Sequence, residues 1–144
     1  MAVDWSEIEG ALNNAVAIEF AQAPAILVIY ENTNDGDGTP VDLEGIDSSI
    51  AVTLLPANNV PIEVGSSGKQ RAIGIYQIDI RVALTKGKYD MYQILDRLVS
   101  IFDRGTTVTY SGTTVRIVNM YPGPSLREDP HYRMPVTINW LSDN

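Results

Sequence analysis

The chain contains no cysteine, which removes disulfides, thiolate metal ligands and a cysteine nucleophile together and suits a reducing compartment such as the bacterial cytoplasm. It has one histidine, His131, in Asp129-Pro130-His131-Tyr132. A two-histidine metal site within one chain is therefore impossible and a histidine-based catalytic centre has little to draw on; a surface-loop position is expected for His131. Long apolar runs are also missing. The longest, Ala25–Tyr30, falls far short of the ~20 residues that cross a bilayer as a helix. The start, Met1-Ala2-Val3-Asp4-Trp5, lacks the basic stretch of a secretory signal, so a soluble protein with no membrane partner is expected.

Basic residues are absent from the first 68 positions, which hold eleven Asp/Glu. Residues 69–144 hold ten Lys/Arg and seven Asp/Glu, so −11 and +3 make the net charge of −8. Phosphate recognition needs clustered cations. Here they are scattered singly, which argues against a nucleic-acid binder, while an acidic lining suits a passage through which DNA slides without sticking. The asymmetry between the halves suggests complementary surfaces.

What is present describes a folded domain. At 144 residues, with 44% hydrophobic and 19% charged residues, the chain fits one domain, 1–144, that buries roughly two thirds of its extended surface. Asp4, with Glu7 three positions on, caps a helix to about Gln22, whose apolar positions Trp5, Ile8, Leu12, Ala15, Val16 and Phe20 recur at helical spacing. Pro24 ends it, and Ala25–Tyr30 reads as a buried strand. Glu31 to Asp47 holds six acidic residues, three glycines and a proline, the composition of a mobile acidic surface loop. Asp35, Asp37 and Asp42 invite a calcium reading, but an EF-hand starting at Asp35 needs glycine where Pro40 stands. No metal site is expected.

Ser49–Leu55, stopped by Pro56, and Val60–Val64, containing Pro61, read as strands, the second of edge type. Gly65-Ser66-Ser67-Gly68 is a turn. Tyr76, Ile78, Ile80, Val82 and Leu84 alternate with Gln77, Asp79, Arg81 and Ala83, the period of a strand with one side buried. Upstream, Ile73 and Ile75 take the opposite parity while Ala72 and Gly74 face inward, so part of this strand is apolar on both faces. Tyr89–Arg104 is a helix with a Met91, Ile94, Leu95, Leu98, Ile101 and Phe102 core stripe, ended by Gly105. Ser111-Gly112 joins Thr107–Tyr110 and Thr113–Asn119 in a hairpin, and a proline-rich loop follows at Tyr121–Pro124. The last strand faces Tyr132, Met134, Val136, Ile138 and Trp140 inward, with a free edge expected at Pro135. Helix, strands, helix, hairpin and strand make a two-layer α+β domain: a mainly antiparallel twisted sheet with two helices packed on one face.

Motifs for chemistry fail. Gly68-Lys69 and Gly87-Lys88 lack the earlier glycine of a phosphate loop, where Glu63 and Val82 stand, and the following Ser/Thr, where Gln70 and Tyr89 stand. There is no dinucleotide fingerprint and no nucleophile elbow. Asp79 and Asp90 are the pair to test for converging carboxylates. No catalytic residue and no cofactor is expected.

Arg71–Ile80 after a Gly/Ser turn, a helix ending Arg104-Gly105-Thr106, the Gly123-Pro124 loop and the ending Tyr132–Trp140 together resemble the siphophage tail terminator, or tail completion, family. The resemblance covers Leu54–Trp140, with residues 1–53 matching in layout; the acidic loop is longer than the family norm. The layout is similar to that of the tail terminator of phage lambda. The resemblance implies a virion structural protein, assembled in the host cytoplasm, that forms a homohexameric ring at the head-proximal end of the tail. Such a ring caps the tail tube, stops its polymerisation and joins the head connector, with DNA passing through without specific binding. Its partners are then itself, the tail tube protein and the connector protein. Lys69 and Arg71, beside the Gly/Ser turn, Ile73 and Ile75 on the second face, and acidic Asp35 and Asp37 are the candidate interface residues. A neck or head-completion connector protein is the alternative, then a small carboxylate-dependent hydrolase or an acidic DNA mimic.

Overall fold

The computed structural model describes residues 4–30, 47–57, 60–61, 70–84, 87–128 and 131–143. Helix α1 is Trp5–Ala21. The Asp4 carboxylate accepts from the Ser6 hydroxyl at 2.7 Å and the Glu7 N–H at 3.2 Å, and these two bonds hold it below the usual carboxylate range. Glu7 turns its own carboxylate outward to the Thr113 hydroxyl, tying the helix start to the hairpin. The apolar face buries Ile8, Ala11, Leu12, Val16 and Phe20.

The strands are β1 (Leu27–Ile29), β2 (Ser48–Pro56), β3 (Val60–Pro61), β4 (Gln70–Ala83), β5 (Thr107–Tyr110), β6 (Thr113–Pro122), β7 (Leu126–Glu128) and β8 (His131–Asp143). They join one curled sheet in the order β1-β2-β4-β8-β6-β5, with β3 added to β4 and β7 to β8. Every pairing is antiparallel except β1 with β2. The fold is thus α+β, with two helices among the described residues, and the sheet is mixed.

Four expectations are corrected. β1 is not a buried strand: it is an edge strand paired with β2 alone among the described strands, and Leu27 is 41% exposed. β8 has no free edge at Pro135, since β4 flanks it on one side and β6 and β7 on the other. The Gly123 N–H donates to the Pro135 carbonyl at 2.7 Å. In an antiparallel strand a residue's nitrogen and carbonyl point the same way, so the missing proline donor faces Gly123, the reciprocal bond is not made, and the β6 ladder ends at Pro122 opposite Val136. His131 is not on a surface loop: it opens β8 opposite Ala83, buried to 6% exposure. β7 was not foreseen. The proline-rich stretch is itself strand as far as Pro122.

Helix α2 is Lys88–Phe102, shorter than the expected Tyr89–Arg104 at its end. Asp103 is extended and its carboxylate accepts the Arg104 N–H at 2.8 Å, so the helix stops two residues before Arg104. Gly105, at φ +83°, belongs to the turn into β5. Met91, Ile94, Leu98 and Phe102 are buried, each contributing roughly 1.5–3 kcal/mol by leaving water. They share one core cluster with α1 and with Ala72, Tyr76, Ile78, Ile80 and Val82 of β4, so the period-two reading of that strand holds. The hairpin turn is as expected, with Ser111 and Gly112 both at positive φ. The turn at 65–68, residues 62–64 of the expected edge strand and nearly all of the acidic segment lie outside the described residues.

Candidate functional site

A 14-residue strand such as β4 has two faces, and the core takes only the even-numbered one. The odd-numbered face forms the outside of the sheet, and cross-strand register sets its content. Arg71 lies opposite Asp143, Ile73 opposite Leu141, and Ile75 between Leu55 and Asn139. Arg71 grips Asp143 with two bonds, Nε–Oδ1 at 2.7 Å and Nη2–Oδ2 at 3.1 Å, and the carboxylate raises the guanidinium above its usual value. Three of the candidate interface residues, Arg71, Ile73 and Ile75, are thus brought onto one surface. Lys69, Asp35 and Asp37 lie outside the described residues.

Other residues complete that surface. The β6–β8 register shifts between Ile117 and Asn119, leaving Val118 as a bulge that is 40% exposed. A bulge turns its extra residue out of the alternation, here beside Leu141. Three shallow hollows of about 320, 440 and 360 Å³ adjoin one another here, all sharing Leu141. One end of this trough is apolar, lined by Ile73, Ile75 and Val118; the other is cationic, with Arg104 and Arg116. Neither of those arginines has an ion-pair partner among the described residues. Leu141, Val118, Arg104 and Arg116 escaped the sequence reading, because nothing in a local pattern reports a bulge or which strands flank β8.

At the far end of the same face Arg133 lies 3.4 Å from Asp79 and 3.4 Å from Glu128; Asp79 raises its guanidinium above the ordinary value. Asp79 is therefore engaged with a cation on the outer face. Asp90 starts α2, whose Phe102 ring meets Tyr76 of the inner face edge-on at 5.9 Å. The two carboxylates do not converge. Asp90 borders a hollow of about 240 Å³ with Ile94 and Arg97 and with no second acid. Among the described residues no group of three or more His, Cys, Asp or Glu is placed to hold a metal ion, and no helix is long and apolar enough to cross a membrane.

The helix side bears a second apolar surface, with Tyr89, Tyr92 and Val99 of α2 exposed at 72%, 48% and 41%. The architecture as a whole therefore offers broad faces of contrasting chemistry.

Residues 7–140 match the family model described as "Phage tail terminator protein". No curated protein matches the chain in sequence. A solved structure superposes over 98% of this chain and 96% of its own, with a TM-score of 0.75 at 16% identity. A chain from the virion of a native gene transfer agent particle covers 98% and 100%, with a TM-score of 0.54 at 14% identity. At such identities the likeness concerns the fold alone. The family match spans nearly the whole chain, so this chain belongs to the phage tail terminator proteins, a structural family of the phage tail and virion and not an enzyme family.

Proposed function

We propose that the chain is the repeating unit of a closed ring, six-membered as in the resemblance above, that sits on the last ring of the tail tube. There it halts tube growth and offers a surface to the head connector, and DNA passes through its centre unbound. Assembly takes place in the host cytoplasm before the ring enters the virion at the head-proximal end of the tail. The observation that carries this reading is the sheet's two unlike edges. Among the described strands β1 and β5 end the order on opposite sides, with Leu27 exposed at one edge and Thr107 and Thr109 at the other. Head-to-tail rings need two different complementary surfaces on each subunit, and a suitable rotation between them closes the ring. Open strand edges are favourable places for such contacts.

The purified protein, alone and mixed with tail tubes, is to be examined by native mass spectrometry and negative-stain microscopy. Rings and capped tube ends are expected. Persistent monomers that ignore tube ends would overturn the reading, and retention by the connector protein but not by the tube protein would transfer the chain to the neck.

A further inference from the structure

Among the described residues the trough around Leu141 has no occupant, and its chemistry is unusual for this protein. In a molecule of net charge −8 it presents two arginines, Arg104 and Arg116, without carboxylate partners among the described residues. Beside them lie the apolar side chains of Ile73, Ile75, Val118 and Leu141. A matching ligand is extended, carries carboxylates and carries aliphatic side chains. Residues 31–46 of the same sequence have this composition: five acidic residues, no basic one, and the alternating run Val41-Asp42-Leu43-Glu44 ahead of Ile46.

Chain geometry excludes self-docking. Asp47 is held at the far end of β4, where its carbonyl accepts from the Ala83 N–H at 2.7 Å. Leu141 pairs with Ile73, ten residues back along that strand, or roughly 30 Å at ~3.3 Å per residue. Val41 is six residues from Asp47, a reach of at most about 21 Å even when taut. The apolar-acidic run thus falls short of its own trough.

We propose that the trough is the receptor for the 41–46 segment of the adjacent copy. In that contact Asp42 and Glu44 meet Arg104 and Arg116, and Val41, Leu43 and Ile46 cover Leu141 and Val118. The contact is heterologous, since donor segment and receptor trough are different parts of the chain, and it rests on the ring reading above. It also gives the charge asymmetry between the halves a location: an acidic segment before residue 69 and a cationic trough after it.

The absence of cysteine makes the test clean. A Leu43→Cys, Val118→Cys double variant, oxidised under assembly conditions and analysed without reductant, is expected to give a ladder of covalent oligomers up to the ring. Each single variant should give dimers at most. In parallel, Arg104→Glu with Arg116→Glu should weaken self-association by tenfold or more, and Asp42→Lys with Glu44→Lys should do likewise. An equimolar mixture of the two charge-reversed proteins should then form heterodimers detectable by native mass spectrometry, because in such pairs one trough and one segment are again opposite in sign. Arg104 and Arg116 are exposed, and circular dichroism verifies that all the variants fold. Rings that form normally but give no ladder, or charge reversal without effect on association, overturn this assignment and leave the ring standing. Failure of the unmodified protein to form rings, even on tube ends, overturns the ring and the assignment with it. Cross-links to the tube protein in place of a second copy also overturn it.

Discussion

Substituting Gly74 by alanine probes the tightest point of the sheet. Gly74 sits in β4 between Pro56 of β2 and Trp140 of β8. A Cβ placed there would stand 2.7 Å from Cζ2 and 3.1 Å from Cε2 of Trp140, and 2.8 Å from the Leu55 carbonyl oxygen. Neither neighbour yields easily. Trp140 is 1% exposed and Trp5 meets it edge-on at 6.0 Å, while the Leu55 oxygen is main chain in a strand whose next residue, Ala57, donates to the Ile73 carbonyl at 3.0 Å. Overfilling a packed site costs about 1–3 kcal/mol, and replacing glycine in a strand returns about 0.5–1 kcal/mol of backbone entropy. The net loss expected for Gly74→Ala is about 1–2 kcal/mol, a fall in Tm of roughly 3–7 °C for a chain of this size, read by far-ultraviolet circular dichroism. Trp140→Phe removes the indole atoms in contact, so in the double variant the alanine should cost at least 0.5 kcal/mol less by the order-of-magnitude coupling expected of touching residues. A Gly74→Ala protein as stable as the parent, or strict additivity with Trp140→Phe, would refute the argument.

Arg97 of α2 clamps the end of α1. Its Nε lies 3.1 Å from the Glu19 carboxylate, Nη1 donates to the Pro24 carbonyl and Nη2 to the Glu19 carbonyl, each at 2.7 Å, and the guanidinium stacks 4.5 Å from the Phe20 ring centre. Arg97→Met keeps the stem but leaves those acceptors without it, and a loss of about 2–4 kcal/mol is expected in urea unfolding. Arg97→Lys should recover less than half, because an ammonium cannot reproduce the planar fork. Tyr76 tests the alkaline side. Its hydroxyl donates to Asn13 at 2.5 Å, and burial, followed by Tyr30 and Glu9, pushes its pKa well above the usual tyrosine value. An acid whose folded pKa is raised contributes stability that is complete below the unfolded value, about 10, and is lost as pH rises from there toward the folded value. Denaturant titrations above pH ~10 should therefore show a stability decline shallower by up to one proton in Tyr76→Phe than in the parent; equal slopes would count against it.

Much of the fold was legible because it is written in near neighbours. Helix α1 follows from a capping aspartate and a 3.6-residue stripe, the hairpin from Ser111-Gly112 between β-branched runs, and β4 from strict alternation with Ala72 and Gly74 inward. Those signals span a few residues, and local sterics and hydrogen bonding impose them whatever the rest of the chain does. The same holds for the absence of catalytic motifs and for the charge split at residue 69.

The third dimension decided the rest. That Pro135 lies in an interior strand, that β1 runs parallel to β2, and that Val118 bulges beside Leu141 all depend on which strands become neighbours. Arg71 and Asp143 are 72 residues apart in sequence and form a two-bond ion pair, while Asp79 and Asp90, eleven apart, face opposite ways. Periodicity tells a residue which face of its own element it occupies, but it carries no information about what lies across the gap. The trough is made wholly of such relations: its apolar end, its cations and its remoteness from Asp47 arise from strand order and register, which the core's demand for burial selects only when the whole chain packs.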